Sequence, residues 1–206
     1  MDSGISDTPE GGADPGEGVT APSFLDLLPT EAARAAYLAW RATRQGKPVP
    51  DLADLAPHRL PPQVLPWLSL QRERADGEIV YGLAGEEIVH MLGRNPKGRP
   101  LMENAPAAER ERRLATVRRA MQSGRPVWLT ASLMFDNRVP VPVGRIGLPA
   151  RSRGERVLLL IYFLLGQLPI DLPKPLLLRS LHHVDEIWCS AEELAATFPG
   201  ESQSAS

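Results

Sequence analysis

The stretch "YGLAGEEIVHMLGRNPKGRPL", Tyr81 to Leu101, decides how this chain folds. Read alone it invites a phosphate-loop interpretation, Gly93-x-x-x-x-Gly98-Arg99. That motif needs a strand before it, a Lys and a Ser or Thr after the second glycine, and a helix starting there. Here Glu86–Leu92 has the composition of a short helix that precedes the loop, and Arg99 and Pro100 stand where Lys and Ser/Thr belong. The glycines have a simpler use. Gly93 ends the helix and Gly98 supplies a positive φ in the turn that follows.

Upstream, "WLSLQRE" (67–73) and "EIVYGLAG" (78–85) flank "ADG" and read as a hairpin. Downstream, Ala107–Ser123 is the longest regular helix, with Leu114, Val117 and Met121 as its apolar stripe and Gly124 as its stop. Three strands follow at 125–135, 139–150 and 155–165, separated by "DNR" and "RSRGE", so they are expected to be antiparallel neighbours. The longest apolar run, "VLLLIYFLL" (157–165), is too short to span a bilayer, which takes roughly 20 helical residues, and reads as a buried strand. The order β-β-α-(irregular)-α-β-β-β predicts an α+β domain with a five-stranded antiparallel sheet and its helices gathered on one face.

Outside this core the character changes. Residues 1–22 carry five of the 25 acids and no Lys or Arg; rich in Gly and Pro, they are expected to be a disordered acidic tail. The overall net charge of −2 therefore leaves residues 23–206 at about +3, which drives the chain onto neither nucleic acid nor anionic membrane. Residues 23–45 read as a flanking helix with Thr30 as N-cap. Six prolines in 47–66 make the next segment an extended or turning connector, with one short helical turn at Asp51–Leu55. The divisions expected are 1–22, 23–63 (flanking helix and connector), 64–165 (core) and 166–206 (extension). Leu176, Leu177 and Leu178 suggest that the extension covers a surface: the chain's own sheet, the N-terminal helix or a partner. Within it, Ser190 and Glu193 form a capping-box pattern at the head of a short helix.

The two motifs together resemble a small PAS-like family common in alphaproteobacterial genomes, over roughly residues 35–165. The matching positions are Trp40, Arg41, Pro50, Asp51, Pro57 and Pro61 in the helix and connector, then Tyr81, Leu83, Ala84, Gly85, Gly93, Arg94, Gly98 and Arg99. The chain departs from the family pattern at Gly82 and Glu86. The resemblance implies a PAS-like fold and a signalling or docking role. It names no ligand, because PAS domains of one shape hold haem, flavin, small acids or nothing.

No catalytic constellation stands out. His90 sits on the short helix facing away from Ile88 and Met91, so it reads as a surface histidine. Haem-binding PAS domains usually ligate iron from the long helix, and Ala107–Ser123 has no His. Cys189, the sole cysteine, lies in the extension and does not suit covalent flavin chemistry. The adjacent His182 and His183 point apart and suit no shared metal. The arginines of 109–119 lack interleaved aromatics for base stacking, and Glu109 and Glu111 can pair with them, so the bland reading is a solvated helix face. Trp128, Met134, Ile146, Tyr162 and Leu83 fall on strands where they line an interior cavity or simply pack; of the two faces of 127–133, that of Val127, Leu129, Ala131 and Leu133 is the more apolar.

The expectation is a cytoplasmic, non-catalytic sensor or docking module with no resident cofactor or metal. It is expected to work by protein–protein contact, as a homodimer through Leu27, Leu28, Tyr37 and Trp40, without nucleic acid or membrane insertion. The alternative is a small-molecule sensor whose cavity ligand is its main input.

Overall fold

The computed structural model describes residues 21–55, 59–135, 140–166 and 178–196, with the side chains of 179, 183 and 184 excepted. Residues 1–20 of the acidic tail, Pro57, Leu176 and Leu177 lie outside these residues.

The hairpin is β1 (Leu68–Glu73) and β2 (Ile79–Ala84), followed by α2 (Glu86–Leu92) and α3 (Ala107–Ser123). Then come β3 (Val127–Phe135), β4 (Pro140–Ser152) and β5 (Glu155–Leu164). The hairpin and the three-stranded meander meet through β1 and β5, Leu70 opposite Leu159. The sheet is antiparallel throughout, in the order β2-β1-β5-β4-β3-β6.

The sixth strand is the first difference from expectation. β6 (Leu178–Trp188) comes from the extension and pairs with β3, covering the edge that five strands would leave open. Its register slips between Thr130 and Ala131, where Asp185 and His183 are successive partners and Val184 is extra. That bulge breaks the two-residue alternation along the segment.

The second difference concerns the flanks. α2 and α3 cover one face of the sheet, as expected, in a core of Ile79, Ile88, Met91, Val117, Met121, Leu129, Leu133 and Leu160. The opposite face is also covered. The flanking helix α1 (Glu31–Thr43), preceded by a turn near Phe24 and followed by the connector, packs on it with Trp128, Ile146, Leu148, Leu159, Ile161 and Phe163. This explains the continuous apolar run of β5: it is buried from Val157 to Phe163 because both of its faces are covered. The connector, expected to be extended or turning, includes a 3-10 helix, Pro62–Trp67.

The proposed dimer residues are corrected by the same packing. Leu28, Tyr37 and Trp40 are fully buried inside the chain's own second core, leaving only Leu27 of the four exposed, at 39%. Trp40 donates its Nε1–H to the Pro149 carbonyl at 2.6 Å, and its ring stacks on Tyr37 at 6.2 Å. An aromatic side chain of this kind removes about 150–250 Å² from water, about 4–6 kcal/mol at roughly 25 cal/mol per Å² before ordering entropy. An apolar stripe on a helix is satisfied equally by a partner or by the chain's own sheet, and here the sheet takes it.

Candidate functional site

The Tyr81–Leu101 stretch is a structural edge device. Gly85 caps α2 by position, and a Cβ there would overlap the carbonyl oxygens of Leu65 and Pro66. Gly93 (φ 69°) ends α2 in the left-handed region, and Gly98 (φ 79°) turns the chain back. Residues 98–101 then run along β2: Gly98 N–H donates to Tyr81 O at 2.7 Å, Tyr81 N–H to Arg99 O at 3.1 Å, and Leu101 N–H to Ile79 O at 2.8 Å. The otherwise open edge of β2 is thereby closed. Arg94 and Arg99 both pair with Glu103, Arg99 at 3.0 Å. The motif arginines are thus engaged with a carboxylate of the same loop. Leu83 is 49% exposed and Ala84 half-buried, whereas Tyr81 is buried beneath the loop.

In the N-terminal motif, Arg41 ties the two flanks together. Its guanidinium donates to the Tyr37 hydroxyl (3.2 Å), Glu193 O (3.0 Å) and Ala196 O (2.6 Å). The last two are carbonyls at the C-terminal end of α4 (Ala191–Ala195), where a cation is favourable. The capping box of Ser190 and Glu193 forms as the sequence indicates. Glu193 also accepts from Phe24 N–H at 2.5 Å. Cys189, fully buried, lies 3.5 Å from the Tyr37 hydroxyl. Burial pushes its thiol up to about 11.

Between α3 and the sheet lies a different arrangement, which sequence reasoning missed. A cavity of about 30 Å³ is lined by Gln71, Arg113, Arg145 and Tyr162 among others. Gln71 from β1, Arg113 from α3 and Arg145 from β4 are all buried. Arg113 pairs with Glu109 and donates to the Leu181 carbonyl, with Met102 Sδ 3.4 Å from its Nη1. Arg145 lies opposite Leu129 and Tyr162 in register, its guanidinium 5.7 Å from the Tyr162 ring centre. Three polar atoms here have no hydrogen-bond partner among the described residues: Gln71 Oε1, Arg113 Nε and Arg145 Nε. Burial, and then the nearby Arg145 charge, lowers Arg113 to about 10. Burial, and then Tyr162, holds the Tyr81 hydroxyl above the usual phenol range. A second, larger cavity of about 150 Å³ lies beside the first, and Met102, Tyr81, Leu92 and Leu181 help line it. Met102 lines both.

A signal for these arginines existed. Arg113 falls on the stripe 113, 117, 120, 121, all buried, and Arg145 shares its face of β4 with the buried Val141 and Val143. Of the strand residues named as cavity candidates, Tyr162 lines the small cavity, whereas Trp128 and Ile146 pack against the flanking helix and Leu83 faces outward. His90 is exposed, 3.9 Å from Glu86. His182 is exposed beside Ser180, and the His183 side chain is outside the description. The described residues contain no cluster of three metal-ligating side chains, and none of their helices is long and apolar enough to cross a membrane.

A mixed α+β chain with a curled antiparallel sheet and two helices on its inner face is the architecture of a PAS-like domain. A family model described as "PAS domain" matches residues 29–161, well over half of the chain, and the protein belongs to that family. No curated protein and no solved structure matched the chain.

Proposed function

We propose that this protein is a non-catalytic regulatory PAS domain of a cytoplasmic signalling system, passing its state to a protein partner through its flanks. The observation that carries this reading is the Arg41 clasp. The N-terminal helix and the C-terminal segment grip each other on the outer face of the sheet, so a change in the sheet reaches both ends of the domain together. PAS-family membership supports the sensory class. Flanks with two arrangements of similar energy are a sufficient output device, since a ligand or partner needs only differential affinity for them.

Self-association is part of this reading, through a face that keeps Leu27 of the four residues the sequence suggested and replaces the buried three. Leu38 on the outer side of α1 (43% exposed) and Leu27 just before it (39%) are apolar and uncovered. Sedimentation velocity of the full chain up to high micromolar concentration tests it. Dimerisation weakened by Leu27→Glu with Leu38→Glu supports the homodimer. A monomer throughout removes it and leaves a different protein as the partner.

A second reading, a small-molecule sensor whose ligand is the main input, is favoured by one observation: the buried Arg145 chamber with its unpartnered polar atoms.

A further inference from the structure

We propose that the chamber between α3 and the sheet binds a small carboxylate, its charge taken by Arg145 and Arg113. The inference deepens the ligand-sensing reading just given and rests on it.

Arg145 is only 4% exposed, yet no carboxylate lies within ion-pair reach of it among the described residues. A buried cation without a counter-charge is costly, even after relaxation. The Tyr162 ring face returns only part of that cost. Arg113 does not help, because it brings a second positive charge to the same chamber, and Glu109 balances only that one. Glu186 also borders the chamber and brings one negative charge, its carboxylate held by Thr116 Oγ1 at 2.5 Å and Trp188 Nε1 at 3.1 Å. Arg112 adds a further cation at the rim. The three arginines Arg112, Arg113 and Arg145 outnumber the two carboxylates Glu109 and Glu186, so the balance is positive, and the Nε–H groups of Arg113 and Arg145, without a partner among the described residues, are donors. Two guanidinium donors facing one anion are what a carboxylate accepts best.

Size restricts the ligand further. About 30 Å³ admits a carboxylate head and little else. A longer acid extends past Met102 into the neighbouring cavity of about 150 Å³. Met102 is suited to that movement, since its thioether chain is unbranched and readily repacked. The ligand class is thus a short-chain monocarboxylic acid, charged end on Arg145 and apolar end toward Leu92 and Leu181 in a cavity whose rim also holds the paired Arg94, Arg99 and Glu103.

The test uses the full chain with acetate, butyrate and hexanoate, against the matching amides and sodium chloride at equal ionic strength. Calorimetric titration and thermal shift are the readouts. The proposal expects saturable binding and a raised Tm with the acids alone, and at least a tenfold loss of affinity in Arg145→Gln. Without acid, Arg145→Met should be as stable as the parent chain or more so, because it removes an unbalanced buried charge. A purely structural arginine would instead lose stability in that variant. Absence of acid binding, an equal response to amides or chloride, or unchanged affinity in Arg145→Gln would each overturn the proposal. If Arg145→Gln does not fold, the acid-against-amide comparison on the parent chain decides alone. Failure here leaves the flank-coupling reading intact, since its test involves no ligand.

Discussion

The Arg41 guanidinium donates to the carbonyl oxygen of Ala196 at 2.6 Å across 155 residues of chain. With the bond to Glu193 O at 3.0 Å, this fixes the end of α4 to the flanking helix α1. A hydrogen bond from a charged donor is worth about 1.5–3 kcal/mol. Arg41→Met is therefore expected to lower stability to denaturant by about that much. Amide exchange in 189–196 should quicken in the same variant.

Gly85→Ala places a methyl group against the carbonyl oxygens of Leu65 and Pro66. Backbone atoms cannot rotate aside, so the 3-10 helix must move from the start of α2. The expected cost is about 1–3 kcal/mol, as for overpacked cores. Equilibrium urea unfolding measures it, and an unchanged midpoint would show that the connector shifts freely.

Trp40→Phe keeps an aromatic ring in the second core but leaves the Pro149 carbonyl without its donor. An unsatisfied buried acceptor costs about 1–3 kcal/mol. The loss should appear in the denaturant midpoint with little change in slope.

Cys189 gives a pH signature. Burial raises its thiol to about 11, from an ordinary 9.0. The folded chain thus holds a proton that the unfolded chain releases, and stability falls as pH rises from about 9 to 11. The urea midpoint of the parent chain should drop more steeply across that window than that of Cys189→Ala. Alkylation of the native thiol at pH 8 should also be slow.

Much of the architecture was written locally. Glu86–Leu92 and Ala107–Ser123 are bounded by glycines that adopt the left-handed conformation, so both helix ends are legible from residue type. The hairpin and the meander follow from alternation and turn composition. β6 was not legible, because its bulge at Val184 inverts the alternation midway and its chain contains adjacent histidines and acids. The dimer face failed for a different reason: the spacing of Tyr37 and Trp40 marks burial but not whose surface buries them. The chamber failed because binary patterning places Gln71, Arg113 and Arg145 outside, and only the neighbours on each face reveal them as inward. The polar Ser69 and Gln71 are fully buried while Leu68 and Leu70 beside them are half-buried, the reverse of what composition suggests.

The central claim is that the sheet couples the inner core to the clasped flanks. Hydrogen exchange on Met121→Ala, a cavity opened in the inner core far from Arg41, tests it most directly. The account predicts faster exchange in α3 and also in residues 21–43 and 189–196, by more than in the central strands β4 and β5. Faster exchange confined to α3, with the flanks no more affected than the sheet, would contradict it.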